Sequence, residues 1–198
     1  MYLLLETLKF EQGKFYNLTY HQKRFNAARA KFFPHAPHID LANVLTIPPG
    51  LTDGLYRCRI VYAEHIQQVD FIPQVRRQFY SLQVVYTAID YTYKFVNRDA
   101  INELLKLKGN TDEIIIVKSG LVTDCSIGNL VFKKDNRLYT PTDPLLKGTQ
   151  RQKLIEQGVL QTRSIRLVDL KDYETVGIIN ALIDLSDVSW IPVADIKK

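Results

Sequence analysis

The amino-acid sequence predicts an α+β protein whose elements are divided between two domains. Apolar runs of strand length, rich in Leu, Ile, Val, Phe and Tyr, are separated by Gly- and Asn-containing turns, and a few segments between them have helical spacing. A chain of 198 residues with 46% hydrophobic residues can form one large or two small cores. We expect a smaller α+β domain at 1–88 and a larger, β-rich domain at 89–198.

The first half is predicted to begin with a β-hairpin followed by a helix. Strands are predicted at 2–10 and 14–18, because both runs are rich in large apolar residues and a turn containing glycine separates them. The segment 17–33 has apolar and aromatic residues at helical spacing and stops before Pro34. After a proline-rich stretch, 54–86 is predicted to form a meander of three strands that completes this half.

The second half is predicted to combine hairpins with helices. Helices are expected at 97–108 and 149–157, since each has helical spacing and a glycine directly after it. Turns at Ser119-Gly120 and Asp135-Asn136 lie between β-branched or apolar runs and predict two hairpins. The run "TVGIINALIDL" predicts a further strand that leaves the core toward a loop.

The composition argues against several classes of protein. The net charge of +5 is spread over short basic pairs, without the focused stripe or recognition motif of a nucleic-acid-binding protein. The first ten residues lack the features of a signal peptide or membrane span, and two distant cysteines predict neither a disulfide framework nor a metal site. We expect a cytoplasmic protein, and the modest positive excess is compatible with a small anionic substrate.

Three features of the second half predict a cofactor. Lys94 in "YTYKFVNRD" supplies an amine, and Asp124 in "GLVTDCSIGNLVF" supplies a carboxylate. The triplet Gly148-Thr149-Gln150 in "PLLKGTQRQKL" begins a predicted helix, whose unpaired N–H groups favour a phosphate. Pyridoxal 5'-phosphate needs these three groups at its aldehyde, its ring nitrogen and its phosphate.

These motifs, together with "LLLETLKF", "HQKRF", "LYTP" and "IINAL", resemble those of the fold-type IV pyridoxal phosphate enzymes, the class IV aminotransferase family. The resemblance lies in the order and spacing of the motifs and covers most of the chain. It implies a two-domain fold like that of D-amino acid aminotransferase, with a shortened N-terminal domain, and a homodimer.

The resemblance also implies a role for each matching residue. Lys94 would attach to the cofactor aldehyde and then transfer protons, while Asp124 would face the ring nitrogen, where the family usually has the longer Glu. The cofactor phosphate and the surrounding pocket would be contacted or supported by Arg24, Asn97, Gly148, Thr149, Gln150, Asn180 and Ala181.

Two local patterns are closer to 4-amino-4-deoxychorismate lyase than to the transaminases of the family. These are K-x-x-N-R, beginning at Lys94, and N-A-L, beginning at Asn180. Arg57 and Arg59 lie on one face of a predicted strand and would meet substrate carboxylates. The lyase reaction is therefore the first hypothesis. A transaminase acting on branched-chain or D-amino acids is the second, and an inactive, cofactor-free binding module is the third.

Overall fold

The computed structural model describes residues 2–51 and 53–198 and divides the chain into two compact units. The first unit comprises Met1–Arg76 with Tyr93–Asn97, and the second comprises Arg77–Thr92 with Arg98–Lys198. The predicted ranges 1–88 and 89–198 assumed a single crossing between domains, whereas the chain crosses three times. The segment Tyr93–Asn97 belongs to the first unit because Phe95 forms an antiparallel bridge with Leu4.

The first unit is an antiparallel sheet with a helix on one face. Its four strands lie in the order β2-β1-β3-β4. Side chains that alternate along β1 and β3, among them Leu8 and Ile60, pack with Phe25 of the helix in one core. The elements, in chain order, are β1 (Leu4–Glu11), β2 (Lys14–Phe15), α1 (Leu18–Phe32), α2 (Leu41–Val44), β3 (Leu55–Tyr62) and β4 (Ile66–Pro73).

The second unit contains two sheets, with strand orders β13-β5-β6-β7 and β10-β9-β8-β11-β12. Apolar side chains from both sheets pack in one core, which includes Ile115 of the first sheet and Phe132 of the second. The elements are β5 (Leu82–Tyr86), α3 (Asp99–Lys106), β6 (Glu113–Lys118), β7 (Leu121–Val122), β8 (Asn129–Lys134), β9 (Arg137–Pro141), α4 (Thr149–Glu156), β10 (Leu160–Arg163), β11 (Thr175–Ile179), β12 (Ile191–Pro192) and β13 (Ile196–Lys197).

The predicted hairpin turns and helix ends agree with the structure. Ser119-Gly120 has φ values of 51° and 79°, and Asp135-Asn136 has values of 49° and 60°. Two consecutive residues with positive φ are what a two-residue hairpin turn requires. Gly109 and Gly158, with φ of 57° and 71°, follow α3 and α4 as predicted.

The predicted meander at 54–86 is wrong for its third strand. β3 and β4 pair in the first unit, but β5 pairs in parallel with β6 of the second unit, with Leu82 opposite Glu113. Five consecutive residues from Glu113 are buried, which is typical of a strand covered on both faces. The meander was predicted because the three strands are close in sequence. The eight residues between β4 and β5 are, however, long enough for the chain to leave the first sheet. Among the helices that the described residues form, none is long and apolar enough to span a membrane.

Replacement of Phe25 by alanine should destabilise the first unit by about 3–5 kcal/mol, because it leaves a cavity against the fully buried Tyr62 ring, whose centroid is 4.4 Å away. Chemical denaturation followed by circular dichroism measures the change. Lys31→Ala, at an exposed position of the same helix, is the control and should change the free energy of unfolding little. A loss no larger than that of the control would contradict the packing described here.

Candidate active site

In the first unit, a buried carboxylate holds the predicted phosphate-binding arginine. Glu6 of β1 is fully buried and accepts two hydrogen bonds from Arg24, at 2.8 Å from Nε and 2.7 Å from Nη2. His21, one turn earlier on α1, lies 2.6 Å through Nδ1 from the same carboxylate. The side chains of His21 and Arg24 are thus joined through Glu6. This paired geometry fixes the plane of the guanidinium.

Glu6 is ionised despite its burial. Burial alone would raise its pKa, but the charge on Arg24 and the hydrogen bonds from Arg24 and His21 lower the pKa to about 2. Burial lowers the pKa of His21, against the hydrogen bond to Glu6, so a neutral imidazole donates Nδ1–H to the carboxylate. The cluster therefore carries one negative and one positive charge at neutral pH.

Lys94 lies in the segment that pairs with the beginning of β1. Its carbonyl accepts a hydrogen bond of 2.8 Å from the backbone N–H of Leu5, next to Glu6. The rings of Tyr93 and Phe95, on either side of Lys94, both pack against Phe32 of α1. The side chain of Lys94 is half-buried, and in addition to burial its charge contributes to lowering the pKa of His21.

Arg57 and Arg59 lie on the face of the sheet that is turned away from α1. In the register of β1 and β3 they stand opposite Lys9 and Thr7, whereas Glu6 stands opposite a core residue on the other face. Arg59 pairs with Asp70 at 3.4 Å. Within the described part of the chain, the buried Nε of Arg57 has no hydrogen-bond partner. The sheet thus places these two arginines and the Glu6–Arg24 pair on opposite faces.

In the second unit, Asp124 is a buried carboxylate enclosed by neutral donors. It is 4% exposed and stands opposite Asn129 across a tight turn, in an isolated antiparallel bridge. Asn129 Nδ2 donates to Asp124 Oδ1 at 2.7 Å, and the backbone N–H of Leu146 donates to Oδ2 at 2.9 Å. Both carboxylate oxygens therefore have a protein donor.

The pKa of Asp124 is shifted in the direction opposite to that of Glu6. Burial raises it to about 7, although the hydrogen bonds from Leu146 and Asn129 and the charge on Arg151 lower it. Arg151 is itself 4% exposed, and its Nη2 donates to the carbonyl of Pro141 at 2.7 Å. Asp124 can consequently gain or lose a proton near neutral pH, which is common at functional sites.

The predicted phosphate-binding triplet begins helix α4. Gly148 takes the N-cap position, and Thr149 and Gln150 are the first two helical residues, both 3% exposed. A Cβ built on Gly148 would overlap Asn129 Oδ1, so a residue with a side chain does not fit there. The structure therefore brings the beginning of this helix to the residue that binds Asp124.

The turn between Asp124 and Asn129 is held from several sides. The buried carboxylate of Glu113 accepts from the Ser126 hydroxyl at 2.7 Å and from its N–H at 3.2 Å, while Arg98 donates to the Ser126 carbonyl at 2.6 Å. Asn180 Nδ2 donates to the Ile127 carbonyl at 3.2 Å. Asn180 thus supports this turn. The next residue, Ala181, is half-buried. Asn97 belongs to the first unit, and its side chain is exposed.

Sequence reasoning missed Glu6, Asn129, Glu113 and Arg151. The sequence contained an indication that Glu6 is important. Period-two alternation places it between Leu4 and Leu8 on the apolar face of β1, where a buried carboxylate needs a partner. The indication for Asn129 was weaker: it lies five residues after Asp124, across a turn that contains a glycine. The parts played by Glu113 and Arg151 depend on tertiary contacts that no local pattern indicates.

Glu6→Gln should remove an acid-dependent part of the stability. With an unfolded pKa of about 4.5 and a folded pKa of about 2, ionised Glu6 stabilises the fold by about 3 kcal/mol above pH 4.5, and this is lost as the pH falls through 2. The free energy of unfolding, measured from pH 2 to 6, should depend less on pH in the variant. Glu64→Gln, at an exposed position, is the matched control. Equal profiles for Glu6→Gln and wild type would contradict the assignment.

Asp124→Asn should remove a pH dependence of opposite sign. Because the folded pKa is raised from about 3.8 to about 7, this group contributes stability that is fully present below pH 3.8 and is lost as the pH rises through 7. The cofactor-free wild type should therefore lose about 4 kcal/mol in unfolding free energy between pH 4 and 8. Asp135→Asn, in an exposed turn, is the control and should keep the slope. A wild-type profile that is flat over this range would disprove the shift.

Comparison with known proteins identifies the family of the chain. The model of the class IV amino-transferase family matches residues 83–193. An uncharacterised protein of Haemophilus influenzae is 38% identical over 185 residues, which cover 92% of this chain and 98% of that protein.

Two solved structures have a similar fold. One, from Haemophilus somnus and provisionally described as a 4-amino-4-deoxychorismate lyase, is 40% identical with a TM-score of 0.86, covering 93% of this chain and 98% of that one. The other, the pyridoxal-phosphate-bound form of a hypothetical aminotransferase from Mycobacterium tuberculosis, is 19% identical with a TM-score of 0.77, covering 96% and 80%. The expected α+β fold is confirmed, and the chain belongs to the class IV aminotransferase family.

Proposed function

We propose that the chain is a pyridoxal 5'-phosphate-dependent enzyme. The observation that carries this proposal is the buried Asp124 carboxylate, joined through Asn129 to the glycine that begins helix α4. Burial raises the pKa of Asp124, so its ionised form costs stability, which is common for a group that acts on a ligand. A carboxylate beside a helix N-terminus suits a cofactor that has a basic ring nitrogen and a phosphate.

The residues present fit this cofactor. Asp124 would pair with the ring nitrogen, and the N–H groups that begin α4, with Thr149, would receive the phosphate. Lys94 would link to the aldehyde, and Arg24, oriented by Glu6, would supply a guanidinium for the phosphate. When bound, the cofactor withdraws electrons from the substrate carbon that bears the amine.

The chain's own residues would then move protons and hold charge. Lys94 would take the proton from the substrate carbon that bears the amine. Asp124, whose pKa is raised by burial to about 7, would be ionised when a cationic ring nitrogen faces it, because an opposite charge lowers the pKa of a carboxyl group. Its negative charge would favour the protonated form of that nitrogen.

The reaction that we propose is the conversion of 4-amino-4-deoxychorismate to p-aminobenzoate and pyruvate, a step of folate biosynthesis. The substrate has two carboxylates, for which we propose Arg57 and Arg59 on one face of β3; they lie on the face of the sheet opposite Arg24 and would not share its phosphate contact. The 40% identical protein of H. somnus is provisionally described as such a lyase. In this reaction the substrate ring would become aromatic when it loses the proton from the carbon that bears the amine and the enolpyruvyl group, which leaves as pyruvate. We further propose a cytoplasmic homodimer.

Transamination is the second candidate, favoured by membership of a family of aminotransferases. With branched-chain or D-amino acids and 2-oxoglutarate, Lys94 would instead deliver the proton to a different atom. Arg57 or Arg59 would then bind the carboxylates of the amino and keto acids. The two reactions use the same lysine and differ in where the proton goes.

Lys94→Ala should abolish the visible absorption of the purified protein and the covalent attachment of cofactor trapped by borohydride, because the variant lacks the amine that we assign to the cofactor aldehyde. Absorption spectra and mass spectrometry of the intact protein measure these effects. Lys171→Ala, at an exposed position, should keep both signals. A wild-type protein that takes up no cofactor would favour the third hypothesis, a binding module.

Two assays distinguish the reactions. Given 4-amino-4-deoxychorismate, the protein should release pyruvate and p-aminobenzoate in equal amounts, and Arg57→Leu should raise the KM more than it lowers kcat, as loss of a substrate-binding contact does. Given amino donors with 2-oxoglutarate, the protein should form little glutamate. Glutamate without p-aminobenzoate would assign the protein to the transaminases.

A further inference from the structure

Asn129 connects two parts of the second unit that are 22 residues apart in sequence. It is 3% exposed at the beginning of β8. Its Nδ2 donates to Asp124 Oδ1 at 2.7 Å and to the carbonyl of Leu146 at 2.8 Å, so both amide hydrogens are used. The backbone N–H of Leu146 donates in turn to Asp124 Oδ2. Asp124, Asn129 and Leu146 thus form a closed ring of hydrogen bonds.

The carbonyl oxygen of the Asn129 side chain lies against the beginning of helix α4. Asn129 Oδ1 occupies the space in which a Cβ on Gly148 would lie. Gly148, two residues after Leu146, is the N-cap of the helix. Nδ2 therefore anchors the segment that leads into the helix, while Oδ1 lies against its first turn.

We propose that Asn129 is a positioning residue, whose amide holds the Asp124 carboxylate and the N-terminus of helix α4 at a fixed separation. The inference rests on the proposed function in one respect, since that function assigns these two groups to the ring nitrogen and the phosphate of one cofactor. A rigid cofactor requires both contacts at once, and misplacement of either weakens binding.

The charge balance around Asp124 makes Asn129 important in the cofactor-free protein as well. The groups facing the carboxylate are Asn129 on β8, the backbone N–H groups of Leu145 and Leu146 before α4, and the cationic Arg151 within α4. The carboxylate of Glu113, on β6, accepts a hydrogen bond from the Ser126 hydroxyl on the same turn. With the donor at 129 removed, the ionised form of Asp124 loses one of its hydrogen bonds.

Asn129→Ser tests the proposal in the cofactor-free protein and in the loaded protein. In carbon-13 NMR of the cofactor-free protein, the titration midpoint of the Asp124 carboxyl should rise by about one pH unit. The dissociation constant for pyridoxal 5'-phosphate, measured by absorption, should rise at least about 10-fold, the loss expected for one hydrogen bond to a charged group. Asn136→Ser, in an exposed turn, is the matched control and should change neither value.

Gly148→Ala approaches the same contact from the helix and is compared with Asn129→Ser and with the double variant. The added methyl group should displace Asn129 and weaken cofactor binding, whereas in Asn129→Ser the same change should have a much smaller effect. Strongly non-additive losses in this cycle support the proposal, and fully additive losses overturn it. An unchanged Asp124 midpoint in Asn129→Ser also overturns it. If the wild type binds no cofactor while the midpoint still shifts, the proposed function fails and the positioning role of Asn129 stands.

Discussion

The burial of one carboxylate, Asp124, determines much of the second unit. A carboxyl group removed from water must be protonated or must receive hydrogen bonds. Here Asn129 and the Leu146 N–H fill that need. Asn129 is held by its hydrogen bond to the Leu146 carbonyl and by its position against Gly148. The same hydrogen bond holds Leu146. The turn from Asp124 to Asn129 is further held at Ser126 by Glu113 and Arg98. Hydrogen bonds therefore hold Asp124, Asn129 and Leu146 together in the cofactor-free protein.

Two buried carboxylates, Glu6 in the first unit and Asp124 in the second, differ in the groups that surround them. Glu6 has a guanidinium paired with it on two nitrogens, and its pKa is lowered to about 2 in spite of burial. Asp124 has neutral donors at hydrogen-bonding distance and a cation, Arg151, that acts through charge, so burial prevails and its pKa is raised to about 7. Glu6 therefore orients Arg24 at any physiological pH. Asp124 remains able to respond to a charged group placed against it, which suits a partner for a ring nitrogen.

Sequence reasoning succeeded where structure depends on local chemistry. The turns at Ser119-Gly120 and Asp135-Asn136 and the ends of α3 and α4 follow from positive φ, which few residues tolerate. The candidate residues of the site came from a resemblance between ordered motifs, and the family was correct. The parallel pairing of β5 with β6 was missed, because an apolar run indicates a strand without naming its partner. Asn129 and Glu113 were missed for the same reason, since their importance depends on residues that are distant in sequence.

The role of Asp124 can be measured most directly on the cofactor itself. Pyridoxal 5'-phosphate labelled with nitrogen-15 in the ring would be bound to the wild type and to Asp124→Asn, and the ring-nitrogen resonance followed by NMR at neutral pH. If the buried carboxylate faces this nitrogen, the wild-type resonance lies at the protonated position, and that of Asp124→Asn moves to the unprotonated one. The same unprotonated position in both proteins would show that Asp124 does not act on the ring nitrogen.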